Sequence, residues 1–358
     1  MSHDIGQLIF IGISGHSLTA EEKKFIVENN ISGITLFGRN VAEPKQVHDL
    51  CSEIQSLRHQ TKDKIPFFIA IDMEGGRVHR LKSPFTQWPA VANLGRVNNP
   101  TLSFDFARCM GNELQSVGIN LDWAPCVDIF SNPKNTIIGD RSAGTTVDLV
   151  ETHSSAMVRG YVKSGIISCA KHFPGHGNTL IDSHLDLPIE EKTLDELRTL
   201  ELLPFKKAMR ARVDMIMSAH IRYPQIDPDW PATLSAIFLK KLLREELRFR
   251  GIVVTDDLGM GALAKYHKKE DIPVRALQAG VDMLLYCNEP DSPPVAIESV
   301  FSALANGKLS KDQIQQSYNR VISLKKEKLQ NPDPMNLDLA LEIINCAEHQ
   351  KIVDQLKA

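Results

Sequence analysis

Eight short apolar runs recur along the chain, and each gives way, at glycines or polar residues, to a longer amphipathic stretch. Runs of this length that are rich in β-branched residues predict buried strands, and the amphipathic stretches between them predict helices. The eight runs are Leu8–Ile13, Ile31–Phe37, Pro66–Ile71, Ile119–Ile129, Ile166–Ala170, Met215–Met217, Ile252–Thr255 and Val281–Tyr286.

Several amphipathic stretches begin with the pattern of a helix N-terminus. In a capping box, a Ser or Thr hydroxyl and a Glu or Gln side chain three residues later satisfy the first free amides of the helix. Three such pairs occur: Thr19 with Glu22, Thr193 with Glu196, and Ser310 with Gln313. Between the sixth and seventh runs, four leucines share one helical face: Leu239, Leu242, Leu243 and Leu247.

This alternation predicts a parallel sheet, because parallel strands need crossover connections that place helices over the sheet. Eight such units fit a closed barrel. A doubly wound open sheet is the rival fold, but Gly12-Ile-Ser-Gly15 lacks the glycine spacing expected after its first strand. We therefore expect an α/β protein, a single (β/α)8 TIM barrel over residues 1–329. The helical patterns Ser310–Leu329 and Leu337–Leu356 predict a C-terminal helical extension, with a tail over 330–358.

The charge balance narrows the range of partners. The 358 residues contain 41 Lys and Arg against 44 Asp and Glu, a formal net charge of −3 with neutral histidines. Proteins that bind nucleic acids or membrane surfaces normally carry an excess of basic residues, so we expect neither a nucleic acid nor a membrane as a partner. Six scattered cysteines without a Cys-x-x-Cys pair favour reduced thiols. With no secretory signal pattern and no apolar stretch near ~20 residues, we expect a cytoplasmic protein, and nothing indicates a protein partner.

Polar residues close most of the predicted strands. Catalytic groups of parallel barrels lie at the carboxyl ends of the strands, so these side chains are expected to share one face. They are Asp72, Glu74, Arg77 and Arg80 around the third strand, Asp122, Asp128, Asp140 and Arg141 around and after the fourth, Lys171 and His172 at the fifth, His220 at the sixth, and Asp256 and Asp257 at the seventh.

The segment from Phe173 to Glu191 follows neither a helical nor a strand period. Structureless segments longer than ~12–15 residues are uncommon in compact domains and are usually binding loops. The loop offers His176, Asp182, His184 and Asp186. The Asp182-x-His184 spacing allows a carboxylate to hold one imidazole nitrogen, which fixes the tautomer and stabilises the protonated ring.

Three of these segments resemble one known family. They are residues 171–184 from Lys171-His172 to Asp182-Ser-His184, residues 71–80 with Asp72-x-Glu-Gly-Gly-Arg77-Val-x-Arg80, and residues 254–260 with Asp256-Asp257. Together they are similar to the β-N-acetylglucosaminidases of glycoside hydrolase family 3, NagZ type. The likeness runs from about residue 5 to about residue 325. The resemblance implies a (β/α)8 barrel, without the second domain from which larger family members take an acid/base carboxylate.

The resemblance also implies a retaining mechanism, in which a nucleophile attacks the anomeric carbon while a second group protonates the leaving oxygen and later activates water. Asp256 matches the nucleophile, and His184 matches the acid/base with Asp182 as its dyad partner. Most retaining glycosidases use two carboxyl groups ~5–5.5 Å apart instead. From the residues alone, Asp257 remains a competing nucleophile. Adjacent strand positions point to opposite faces, so only one of the two carboxylates points into the barrel mouth, and the alternation does not say which.

Substrate contacts carry over in the same way. The positions that match contacts to N-acetylglucosamine are Asp72, Arg80, Arg141, Lys171 and His172. Carboxylates and cationic forks suit the vicinal hydroxyls of a sugar. For Arg80 and Arg141, an ion pair with Asp72 or Asp140 is the simpler interpretation, and both roles are compatible. His176 and His220 match no role, so ordinary buried hydrogen bonding is expected for them.

The compact family members act on muropeptides, chiefly N-acetylglucosaminyl-1,6-anhydro-N-acetylmuramic acid with or without its peptide, during cell-wall recycling. The resemblance implies no metal and no organic cofactor. It leaves open whether water or phosphate is the acceptor, since some members transfer the sugar to phosphate.

Three other functions fit parts of the same residue set. His172, His176, His184 and Asp182 suit a metal-dependent barrel hydrolase, because imidazole and carboxylate are zinc ligands. Lys171 at a strand end suits a Schiff-base aldolase. A sugar-binding barrel without activity is the non-enzymatic alternative.

Overall fold

Eight parallel strands close into a barrel in the computed structural model, which describes residues 5–181, 183 and 186–358. Around the barrel the strands follow one another in chain order, and the last pairs with the first. The strands are β1 (Ile9–Gly12), β2 (Gly33–Leu36), β3 (Phe68–Ile71), β6 (Leu121–Asp122), β7 (Ile167–Phe173), β8 (Met215–Ser218), β9 (Ile252–Asp257) and β10 (Met283–Tyr286), with an antiparallel hairpin of β4 (Met73–Gly75) and β5 (Val78–His79) after β3. The predicted (β/α)8 TIM barrel is confirmed.

Helices surround the barrel and continue beyond its last strand. The α-helices span Ala20–Glu28, Pro44–Ser56, Ala92–Val97, Pro100–Ser116, Val147–Ser164, Leu194–Thr199, Leu202–Arg210, Gly261–Ala264, Asp271–Ala279, Ser292–Ala305, Lys311–Lys328, Leu337–Ile343 and Ala347–Lys357. A π-helix spans Ile237–Glu246, and 3-10 turns span Gly38–Asn40, Leu57–Gln60, Gly139–Arg141 and Ala232–Leu234. No helix among the described residues is both long enough and apolar enough to cross a membrane.

Local sequence signals explain where these helices begin and what they bury. Complete capping boxes form at Thr19 and Thr193. The third predicted box forms only by half, because Ser310 accepts from the Gln313 amide while the Gln313 side chain donates to the Leu277 carbonyl instead. In the π-helix, Leu239, Leu242 and Leu243 form the buried face that the leucine spacing predicted.

The fourth strand is much shorter than predicted. The apolar run Ile119–Ile129 forms regular strand only at Leu121–Asp122. Proline has no amide hydrogen for a strand ladder, so Pro125 interrupts the pairing. The chain nevertheless continues beside β7, where the Lys171 amide donates to the Pro125 carbonyl over 3.2 Å. This course carries Asp128 to the mouth of the barrel.

The C-terminal helix predicted over Leu337–Leu356 is broken in two. Asn345 lies at the break with a φ of 54°, a left-handed conformation that asparagine tolerates better than most residues. Its amide donates to the buried carboxylate of Glu113 over 3.0 Å. Glu113 also accepts from Thr86 and from the Trp88 indole, so one carboxylate ties the last helices to the barrel. The domain division at residue 330 stays a prediction.

The strands of the barrel are buried, and β2 and β3 are buried at every position. All six cysteines are free, and five of them are buried.

Candidate active site

A cavity of about 190 Å³ opens among the carboxyl ends of the strands. It collects side chains from distant parts of the chain, because the closed barrel brings the ends of all its strands to one rim. All six predicted site residues that the structure describes line this cavity: Asp72, Arg80, Arg141, Lys171, His172 and Asp256. Apolar walls come from Phe37, Trp123, Met217 and Leu285.

Glu74 lies below the cavity as an enclosed anion between two cations. Its carboxylate accepts from both Nε and Nη2 of Arg141 at 2.8 Å, and Nζ of Lys171 lies 2.7 Å from Oε1. The Glu74 side chain has no exposed surface. Burial alone would raise the pKa of Glu74, but Arg141 and Lys171 hold it well below its usual value. Glu74 is therefore a carboxylate that fixes two cations.

The β4–β5 hairpin places Glu74 at this point. Gly75 and Gly76 follow it with positive φ angles of 98° and 59°, which side chains of L-residues rarely adopt. A Cβ atom on Gly75 would lie 2.3 Å from the carbonyl oxygen of Pro89. The two glycines thus allow the tight turn between β4 and β5, and Arg80, directly after β5, lines the cavity.

Asp72 joins two cations at the cavity rim. Nζ of Lys171 lies 2.7 Å from Oδ1 of Asp72, and Nη2 of Arg80 lies 3.7 Å from Oδ2. Burial would lower the pKa of Lys171, but Asp72 and Glu74 outweigh it and raise that pKa above its ordinary value. Lys171 is therefore an ammonium donor. A Schiff-base lysine must instead be neutral to attack a carbonyl, so this environment opposes the aldolase alternative.

The imidazole of His172 is hydrogen-bonded at both ring nitrogens. Its Nδ1 lies 2.7 Å from Asp128, and its Nε2 lies 3.2 Å from Nη2 of Arg141. Arginine can only donate, so Nε2 carries the lone pair and Nδ1 the proton. Burial would raise the pKa of Asp128, but His172 and the amide of His176 lower it to about 2. Asp128 thereby stays ionised and orients the ring.

Asp256 and Asp257 both border the cavity, but they have different environments. Asp256 is half-buried, and its Oδ1 accepts from the amide of Asp257 over 2.8 Å. The Asp257 carboxylate accepts from the amide of Gly259 and from the side chain of Asn288. Burial, together with the charge of Asp256, raises the pKa of Asp257. Asp257 thus supports the turn after β9, whereas Asp256 is the more accessible carboxylate.

Two further histidines have buried, hydrogen-bonded positions. The ring nitrogens of His176 lie 2.6 Å from the Thr179 hydroxyl and 3.3 Å from the Ser183 hydroxyl. Burial lowers the pKa of His176 to about 4. His220 contacts the Thr233 hydroxyl and the backbone carbonyl of Asp257.

The predicted loop after β7 contains neither helix nor regular strand in its described part. Asp182 and His184, the predicted dyad, lie outside the described residues. Asn178 donates to Glu190 over 2.7 Å, and the amide of Glu190 donates to the carbonyl of Arg222 over 2.8 Å.

One set of described residues has the spacing of metal ligands. Ligand atoms of Cys126, Asp128 and His172 lie within 4.8 Å of one another. However, Arg141 occupies the lone pair of His172, and burial raises the pKa of the Cys126 thiol well above its ordinary value. Both features favour a hydrogen-bonded network over a bound cation.

Residues 1–324 match the family model described as the glycosyl hydrolase family 3 N terminal domain. The chain belongs to glycosyl hydrolase family 3. It is 36% identical over 285 residues to a β-hexosaminidase of Idiomarina loihiensis, which covers 78% of this chain and 84% of the relative.

Two solved structures of family 3 enzymes share the fold. A β-N-acetylglucosaminidase from Paenibacillus sp. strain FPU-7 has a TM-score of 0.90 and 35% identity, covering 99% of this chain and 68% of that one. NagZ from Neisseria gonorrhoeae, in complex with N-trifluoroacetyl-D-glucosamine, has a TM-score of 0.80 and 30% identity. The match covers 98% of this chain and 96% of that one. The chain is a glycoside hydrolase of the β-hexosaminidase, NagZ type, with a sugar substrate.

The ion pairs of this family 3 site differ in part from those predicted. Arg80 pairs with Asp72 as expected, but Arg141 pairs with Glu74, and Asp140 pairs with Arg77 at 2.8 Å. Glu74 was assigned no role because Asp140 is the carboxylate next to Arg141 in sequence. The available signal was a glutamate just after a predicted strand end, followed by two glycines.

Proposed function

We propose that the enzyme is a retaining exo-β-N-acetylglucosaminidase that removes terminal β-1,4-linked N-acetylglucosamine from peptidoglycan fragments. The main support for this proposal is that Asp256 lines the same small cavity as four hydrogen-bonding side chains, those of Asp72, Arg141, Lys171 and His172. Carboxylates accept from sugar hydroxyls, and the cations donate to them, so this set suits a ring with several vicinal hydroxyls.

The size of the cavity supports exo action. Sites for drug-sized ligands usually measure about 300–1,000 Å³. A cavity of about 190 Å³ suits a single terminal sugar rather than a stretch of chain. The rest of the substrate, the leaving group, then extends toward solvent.

In the proposed mechanism, Asp256 attacks the anomeric carbon and forms a glycosyl-enzyme. Its half-buried position beside the buried Asp257 favours it as the nucleophile, because the Asp257 oxygens already bind Gly259 and Asn288. Asp256 departs in the second half of the reaction, when water attacks the anomeric carbon and restores the β-configuration.

The second catalytic group in this proposal is His184, with Asp182 as its partner. His184 protonates the leaving oxygen as the glycosidic bond breaks and then accepts a proton from the attacking water. This assignment comes from the family pattern. The loop that carries both residues begins directly after β7, the strand of Lys171 and His172.

The natural substrate class is proposed to be N-acetylglucosaminyl-1,6-anhydro-N-acetylmuramic acid, with or without a peptide, in cell-wall recycling within the cytoplasm. To test it, the disaccharide is incubated with enzyme and the product anomer is followed by NMR before mutarotation. Early formation of β-N-acetylglucosamine is expected. Early formation of the α-anomer would contradict the retaining mechanism. Cleavage of chromogenic β-N-acetylglucosaminides without cleavage of the disaccharide would contradict the proposed substrate.

A further inference from the structure

Described residues on both sides of His184 are held by the segment that follows β9. The carbonyl of Ser183 accepts from the amide of Ala262 over 3.1 Å. Two positions beyond His184, Oδ1 of Asp186 accepts from the hydroxyl of Tyr266 over 2.6 Å. Nζ of Lys265 lies 3.9 Å from the other oxygen of Asp186. The loop after β7 is therefore docked on the segment after β9.

That segment begins at the proposed nucleophile. Asp256 lies in β9, and the amide of Met260 donates back to the carbonyl of Asp257 over 3.1 Å. A short helix, Gly261–Ala264, follows, and the amide of Tyr266 donates to the carbonyl of Leu263 over 3.0 Å. A short, hydrogen-bonded path thus leads from Asp256 to the hydroxyl of Tyr266.

Further contacts of the described loop residues lie nearer its two ends. Near its start, the side chain of Asn135 donates to the carbonyl of His176 over 2.8 Å. Near its end, Pro188 and Glu190 bond to the backbone of Arg222. The Tyr266–Asp186 hydrogen bond acts between these anchors, on the stretch in which His184 occurs.

We propose that Tyr266 is a positioning residue that acts through Asp186 to set the place of the acid/base group relative to Asp256. This inference rests on the proposed function, because it takes His184 as the acid. Proton transfer to the leaving oxygen requires hydrogen-bond reach, so a loosened loop slows that transfer without altering the nucleophile.

Tyr266→Phe removes the hydroxyl and keeps the ring. Tyr266 is an exposed residue, with 56% of its surface accessible, so the fold is expected to survive removal of the hydroxyl. A single net hydrogen bond corresponds to a change of about threefold to tenfold. Phenyl β-N-acetylglucosaminide needs protonation of its leaving group, whereas the 2,4-dinitrophenyl glycoside needs little.

We expect Tyr266→Phe to lower kcat/KM about threefold to tenfold for the phenyl glycoside and to leave the dinitrophenyl glycoside within twofold. Asp186→Asn keeps an acceptor oxygen for Tyr266 and is expected to behave like the wild type, whereas Asp186→Ala should match Tyr266→Phe. Tyr318→Phe, on the distant helix Lys311–Lys328, is the matched control and should change neither substrate.

His184→Ala is measured in parallel to separate the two levels of the account. If His184→Ala shows the leaving-group dependence and Tyr266→Phe either has no effect or slows both glycosides equally, the role of Tyr266 is wrong and the proposed function stands. If His184→Ala itself shows no dependence on the leaving group, the proposed acid is wrong, and the role of Tyr266 is overturned with it.

Discussion

The guanidinium of Arg141 donates two hydrogen bonds to the carboxylate of Glu74, each 2.8 Å long, beside the cavity. Glu74 is completely buried and also contacts Lys171. A charge enclosed in this way is stable only while its partners remain, because each ion loses its hydration on burial. Arg141 and Lys171 are thus fixed at the wall of the cavity, and Glu74 holds them there.

Replacing Glu74 should therefore harm both stability and substrate binding. Glu74→Gln leaves Arg141 and Lys171 without their shared anion, and breaking a buried ion pair in this way costs about 3–5 kcal/mol of unfolding free energy. We also expect kcat/KM for a chromogenic β-N-acetylglucosaminide to fall at least about tenfold, which corresponds to ~1.4 kcal/mol. Urea unfolding and steady-state kinetics measure the two effects.

Glu298→Gln provides the control for this experiment, because Glu298 is exposed on the helix Ser292–Ala305. Surface substitutions of this kind usually change stability by no more than about 0.5 kcal/mol. Wild-type stability and kinetics in Glu74→Gln would show that the buried carboxylate does not hold the two cations in place.

The amine of Lys325 should make the stability of the enzyme depend on pH in the alkaline range. Lys325 is buried, with Nζ donating to the Gln7 side chain and the Ser32 carbonyl at 2.9 and 2.8 Å. Burial lowers its pKa well below 10.5, so the unfolded chain binds a proton more tightly than the folded one. The free-energy cost of burying the protonated amine is therefore full below the pKa of Lys325 in the folded state. It disappears as the pH rises toward the pKa in the unfolded state.

Measured against Lys325→Met, the wild type should therefore gain stability as the pH rises from 7 to 10. Denaturant unfolding at several pH values gives the difference between the two proteins. Lys326→Met, an exposed neighbour on the same helix, should show no such slope. A difference that stays constant or narrows with pH would refute the assignment.

Metal removal should leave the enzyme active. Both ring nitrogens of His172 are engaged, by Asp128 and Arg141, and those of His176 face Thr179 and Ser183. Prolonged dialysis against a strong chelator is expected to preserve the hydrolysis of a chromogenic β-N-acetylglucosaminide. Loss of that activity, followed by recovery with zinc, would instead support the metal-dependent alternative.

The sequence predicted the barrel because each strand is a continuous apolar run, a signal that depends on local composition. The prediction was wrong where a single residue interrupts an element. Pro125 breaks the regular pairing of the fourth strand, and Asn345 divides the last predicted helix. The sequence located the residues that reach the cavity because strand ends converge in a barrel. The Glu74–Arg141 pair was not predicted, because it joins the β4–β5 hairpin to a 3-10 turn 67 residues later in the chain.

Trapping of the glycosyl-enzyme identifies the nucleophile. A 2-acetamido substrate carrying fluorine as the leaving group and a second fluorine at C5 slows breakdown of the covalent intermediate, and peptide mapping then locates the added mass. The account predicts one label, on Asp256, and its loss in Asp256→Ala with folding intact. A label on Asp257, or on no carboxylate at all, would contradict it.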